Sequence, residues 1–199
     1  MDKNINQPVK WSENVIIVDA EYIDRVVFNL TVNFERMLGR RIPPADLARW
    51  IDCVALDGGL RPGEHETQVV LIHEKDSKGL ENFAPSEYES SLHGKAFKDQ
   101  LGEFVISAVP VEAMTTKNDL LLDVVSLTLP EKEVKRIIII PNGEDETLGR
   151  QLRNTLQQAD EDKHITVLAM EPIVGGNFKQ EILGYSLLQA LGIRADEIR

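Results

Sequence analysis

Val15-Ile16-Ile17-Val18 runs without a polar break into Asp19-Ala20-Glu21, and Ile137-Ile138-Ile139-Ile140 runs the same way into Pro141-Asn142-Gly143-Glu144-Asp145. Four consecutive β-branched apolar residues fit a strand buried on both faces, the condition of an inner strand in a parallel sheet. Three more runs read as strands: Val69–Ile72, Phe104–Val109 and Ile165–Met170. Helical patterns lie between them. Ile23, Val26, Val27, Leu30, Phe34, Met37 and Leu38 recur at three- and four-residue steps up to Gly39. A second helix opens at Pro43-Pro44 and closes at Gly58-Gly59, and others are expected over 118–129, 147–160 and 178–191. Strands that alternate with helices imply a five-stranded, mostly parallel sheet covered on both faces, a three-layer α/β domain. The domain is expected over 14–199, after a polar lead-in at 1–13. Residues 75–102, with Pro85 and three glycines, read as an irregular excursion with a short helix near 86–92.

Composition narrows the function classes. The chain has 199 residues, of which 42% are apolar and 28% charged, so it is long enough to bury a core without metal or disulfide staples. Cys53 is the only cysteine, which rules out an intrachain disulfide and a zinc ribbon. No run reaches the roughly 18 apolar residues of a membrane span. With no export signal in Met1–Gln7, the cytoplasm is the expected location and no membrane partner is expected. The net charge is −11; residues 1–62 carry 8 basic against 9 acidic side chains, and residues 63–199 carry 14 against 24. Such a surface offers nucleic acid no general attraction. Arg36, Arg40, Arg41 and Arg49 read first as a solvated helix end, with a local basic patch as the alternative.

Right-handed crossovers bring the C-terminal ends of parallel strands to one edge, where open α/β sheets bind ligands. Asp19 and Glu21 leave that edge from the first strand and Asp145 from the fourth, while Asn118-Asp119 begins a helix near it, one turn before Asp123. Carboxylates that converge repel one another unless a cation neutralises them, and Mg²⁺ or Mn²⁺ suits an all-oxygen set. Such ions activate water for attack on a phosphodiester. Each of these residues also reads as a helix N-cap or first-turn acid, which needs no ligand at all.

Val15–Tyr22, Lys117-Asn118-Asp119-Leu120-Leu121-Leu122-Asp123 and Ile137–Asp145 together resemble the PIN-like domains of the NYN type. That resemblance covers most of residues 14–170 and implies a sheet of order 3-2-1-4-5 and metal-dependent ribonuclease activity. Carried over position by position, Asp19, Asp119 (or Asp123) and Asp145 would be the metal ligands. Glu21 would be a ligand or water-orienting base, and RNA the substrate. Two departures weigh against activity: Tyr22 stands where the family has Asn, and Pro-Asn-Gly-Glu-Asp replaces its Ser-Gly-Asp-Gly-Asp loop. The chain is also similar to an uncharacterised bacterial family of about this length. The alternative keeps the fold and discards the chemistry, leaving an oligomeric or partner-binding module. Phe178, Ile182, Leu183, Tyr185, Leu187, Leu188 and Leu191 would then surround the last helix, to be buried within the chain or against a second copy.

Three other signals are weaker. Gly175-Gly176-Asn177 opens the last predicted helix and could hold a phosphate, but lacks a Gly-x-Gly-x-x-Gly or Gly-Lys-Ser/Thr pattern. His73 ends the second strand with no partner at ligand spacing. Cys53 has no motif of a nucleophile around it.

Overall fold

The computed structural model describes residues 10–199; of the polar lead-in expected at 1–13, residues 1–9 lie outside the described residues. The chain forms β1 (Asn14–Asp19), α1 (Ala20–Leu38), β2 (Ala45–Asp46), α2 (Leu47–Asp57), β3 (Glu66–His73), β4 (Phe83–Ala84), β5 (Ala96–Asp99) and β6 (Gly102–Pro110). It continues with α3 (Lys117–Thr128), β7 (Arg136–Ile140), α4 (Glu146–Leu156), β8 (His164–Ala169), β9 (Lys179–Ile182) and α5 (Leu183–Ala190). The main sheet has the order β5-β6-β3-β1-β7-β8-β9, and only β5 is antiparallel to its neighbour.

β1 is buried over all six residues because it lies between β3 and β7, pairing Asp19 with Ile72 on one side and Val18 with Ile140 on the other. Its side chains alternate between the two faces of the sheet. Ile16 and Val18 join the core beneath α1, α2 and α5, while Val15 and Ile17 join the core beneath α3 and α4. The result is the expected three-layer α/β arrangement. Gly39 ends α1 with a left-handed φ of 65°, its N–H bonded to Glu35 O. A side chain larger than hydrogen is strained in that conformation.

The sheet has seven strands rather than five, and both additions lie at its edges. β9 occupies residues assigned to the last helix, which therefore begins only at Leu183. Lys179-Gln180-Glu181 is polar because an edge strand is never buried on both sides. Phe178, Ile182 and Leu183 meanwhile mimic a helical repeat. β5 lies within the excursion at 75–102, which also contains β4 and a single π turn at Tyr88–Leu92. Phe97 of β5 stacks on Phe104 of β6 with ring centroids 4.8 Å apart. Among the described residues no helix is long and apolar enough to cross a membrane.

The last helix finds its apolar partners within the chain. Leu183 and Leu187 are fully buried, and Trp50 of α2 donates from Nε1 to Ser186 Oγ at 3.1 Å. Only Tyr185, 71% exposed, faces outward among its large apolar residues. The apolar circumference on which a homodimer was expected is thus mostly covered by α2 and the sheet.

Candidate functional site

Asp19 ends β1 beside β7, at the point where successive crossovers leave the sheet in opposite directions, from β1 to β3 on one side and from β7 to β8 on the other. Its carboxylate caps α1, with Oδ1 accepting from Tyr22 N at 3.1 Å, and the residue is 2% exposed. A buried carboxylate needs a counter-charge. Lys117, the first residue of α3, supplies it: Nζ lies 3.0 Å from Asp19 Oδ1 and 3.2 Å from Glu21 Oε2. Burial alone would lower the pKa of this ammonium, but Asp19 and Glu21 more than reverse that and hold it above the ordinary lysine value. Glu21 Oε1 accepts from Glu74 N at 2.5 Å, which ties the loop after β3 to the start of α1.

Asp145 has a parallel arrangement. Oδ1 caps α4 by accepting from Leu148 N at 3.0 Å, and Oδ2 accepts from Asn118 Nδ2 at 2.9 Å. Two consecutive residues at the start of α3, Lys117 and Asn118, thus tie down the acidic residues that follow β1 and β7. Two more links join α1 to the loop after β7. The buried Tyr22 ring brings its hydroxyl against Gly143, and Arg25 pairs with Glu144 at 2.8 Å on the surface. Burial, followed by the charge of Glu144, pushes the Tyr22 hydroxyl pKa up, so it stays protonated.

Asp19, Glu21 and Asp145 therefore share one cleft edge, but not as a metal cage. Asp119 is exposed in the first turn of α3, where its backbone N–H bonds to the capping Thr116 Oγ1, and Asp123 is exposed one turn further on. Among the described residues no three His, Cys, Asp or Glu side chains gather as a metal site requires. Five of the six carboxylate oxygens of Asp19, Glu21 and Asp145 already accept hydrogen bonds from protein donors. Lys117 Nζ stands against Asp19 and Glu21, so Mg²⁺ or Mn²⁺, which binds oxygens at about 2.0–2.1 Å in octahedral array, would have to displace that ammonium to reach both carboxylates.

Sequence reading passed over Lys117 and Asn118 in favour of their neighbour Asp119. The signal was available: a lysine beside an expected carboxylate cluster is the simplest cation to neutralise it. It also missed Tyr88, whose ring stacks on His73 at 3.8 Å with 8° between planes. His73 is buried, and its Nδ1 lies 2.8 Å from Glu74 O; a carbonyl only accepts, so Nδ1 carries a proton. Cys53 is half-buried on α2, and burial raises its thiol pKa, the opposite of an activated nucleophile. In the basic patch, Arg40 pairs with Glu197 and Arg49 reaches Gln189, while Arg36 and Arg41 are exposed.

Fold and site together define a three-layer α/β domain on a mostly parallel sheet, with a laced acidic cleft where β1 and β7 end. The chain belongs to a family of unknown function, DUF6621, whose match extends over residues 8–198. No curated protein and no solved structure matches it.

Proposed function

We propose that the chain is a PIN-like module that has exchanged its catalytic metal for the ammonium of Lys117 and works as a partner-binding scaffold. The observation that carries this reading is the position of Lys117 Nζ, between Asp19 and Glu21 where a cation would have to sit. A fixed ammonium offsets the repulsion of the carboxylates but cannot deprotonate water as a divalent ion does. The substituted loop and Tyr22 agree, because both are used to fasten α1 to the end of β7. Phe28 and Val32, one turn apart on α1 and 53% and 39% exposed, offer the partner an apolar contact.

The competing reading is a metal-dependent ribonuclease in which Lys117 swings aside when Mg²⁺ or Mn²⁺ enters. Its support is the arrival of Asp19 and Asp145 from adjacent parallel strands. Calorimetric titration with Mn²⁺, together with an RNA-cleavage assay, separates the two. The scaffold reading expects no saturable Mn²⁺ binding and no cleavage in the wild type, with Mn²⁺ binding gained in Lys117→Ala. Saturable wild-type binding that disappears in a folded Asp19→Ala variant, accompanied by RNA cleavage, would replace the scaffold with the nuclease.

A further inference from the structure

The opposite edge of the sheet, where β7, β8 and β9 begin, carries a cavity of about 590 Å³. Its charge does not follow that of the chain. In a protein of net charge −11, the cavity is lined by Arg136, Lys163 and Lys179, with Asp160 and Glu161 exposed on its wall. Arg136 and Lys163 are half-buried, and neither has a carboxylate salt-bridge partner among the described residues. Lys179 is shared with Glu181 at 3.2 Å.

Backbone carbonyls hold these cations in place. Arg136 Nη1 donates to Gly58 O at 2.6 Å, Lys163 Nζ to Glu131 O and Val134 O at 2.6 and 2.7 Å, and Lys179 Nζ to Asp57 O at 2.8 Å. Gly59, at φ 91°, makes room for Arg136: a Cβ there would come within 2.8 Å of Nη1. The carbonyls orient the side chains without neutralising them. Arg136 Nε is buried without an acceptor among the described residues. Burial, followed by the nearby Arg61 charge, lowers the Arg136 pKa, and the charge of Glu13 offsets this only in part.

We infer that this cavity binds a phosphate monoester carried on a flat or apolar body, the class to which mononucleotides belong. Fixed, partly desolvated ammonium and guanidinium groups favour phosphate oxygens through charge-assisted hydrogen bonds. Inorganic phosphate alone would leave most of the volume empty, since pockets for small organic ligands span about 300–1,000 Å³. Phe178, Leu156 and Ile165 provide apolar walls, and Asn177 a neutral hydrogen-bonding group. The inference does not depend on the proposed function, because this cavity and the Lys117 cleft occupy opposite edges of the sheet.

The test is calorimetric titration of the full chain with adenosine 5′-monophosphate and with inorganic phosphate, in low and high salt. The expected result is saturable one-to-one binding, tighter for the nucleotide, weakened by salt and weakened about tenfold or more in Lys163→Gln and in Lys179→Gln. Arg25→Gln, remote from the cavity, should bind like the wild type. If Lys163→Gln does not fold, Lys179→Gln and amide shifts at Asn177 and Phe178 in the titrated wild type carry the test. Absence of saturable binding at millimolar nucleotide would overturn the inference. So would unchanged affinity in a folded double variant.

Discussion

Lys117 Nζ lies 3.0 Å from Asp19 Oδ1, joining the first residue of α3 to the last of β1 across 98 positions of sequence. Both groups are largely withdrawn from water, with side-chain exposures of 18% and 3%. Truncating one partner strands a buried charge, which costs about 3–5 kcal/mol. Lys117→Met is therefore expected to lower the urea midpoint strongly. Combining it with Asp19→Asn, which keeps an N-cap oxygen for Tyr22 N, should recover most of the loss. If the double variant is no more stable than the single one, the pair is not coupled as described.

A pair of acidic residues elsewhere bears on pH dependence. Asp52 of α2 meets Asp99 at the end of β5; burial first, then the hydrogen bond to Asp99 and the charges of Asp99 and Asp46, push its pKa up to about 7. The unfolded carboxyl titrates near 3.8, so between those values the folded chain holds a proton that the unfolded one has released. Its contribution to stability is complete below pH about 4 and is lost as pH rises through about 7. Asp52→Asn, which can donate to Asp99 at any pH, should flatten this decline and raise the melting temperature at pH 8. Urea midpoints for wild type and variant on both sides of neutrality check the sign. A wild type more stable at pH 8 than the variant would contradict it.

Docking of α5 depends on a hydrogen bond as well as on its leucines. Ser186 Oγ donates to Leu183 O at 2.8 Å and accepts from Trp50 Nε1 at 3.1 Å, in a fully buried position. Ser186→Ala leaves the indole N–H unpaired and should cost about 1–3 kcal/mol. Tyr185→Ala, one residue away but exposed, should stay within about 0.5 kcal/mol of wild type. Equal losses at both positions would mean that this face of α5 is covered by something other than α2.

What could be read from the sequence followed from burial on both faces. Val15–Val18, Val69–Ile72 and Ile137–Ile140 announce themselves as inner strands because every side chain in them is buried. β5 and β9 are edge strands with mixed polarity, so periodicity alone could not separate them from loop and helix. Asp19 and Asp145 were placed at one edge by the rule that parallel strands end together. Which residue of the first turn of α3 faces that edge had only charge complementarity to announce it, with no rule of topology. Asp119 and Lys117 are two residues apart on the first turn of α3, and helical geometry sends only one of them into the cleft. That Asp19 and Asp145 serve as helix N-caps agrees with the plain reading of such residues, which in this fold coexists with their convergence.

The turn into β6 supplies the sharpest stability test. Gly102 opens the strand at φ 102°, and a Cβ there would stand 2.1 Å from His65 O and 2.5 Å from His65 N. Both obstacles are backbone, and Glu103 N donates to the same carbonyl at 2.9 Å, so neither can move without breaking the β3–β6 pairing at Glu66–Glu103. Gly102→Ala therefore adds left-handed strain of about 1–2 kcal/mol to a clash that relaxes only by opening the end of the ladder. The expected loss is about 3 kcal/mol or more, with faster amide exchange in Lys98–Phe104 while the β1–β7 amides stay protected. A variant with wild-type stability would mean that the approach of Gly102 to His65 is not the native one.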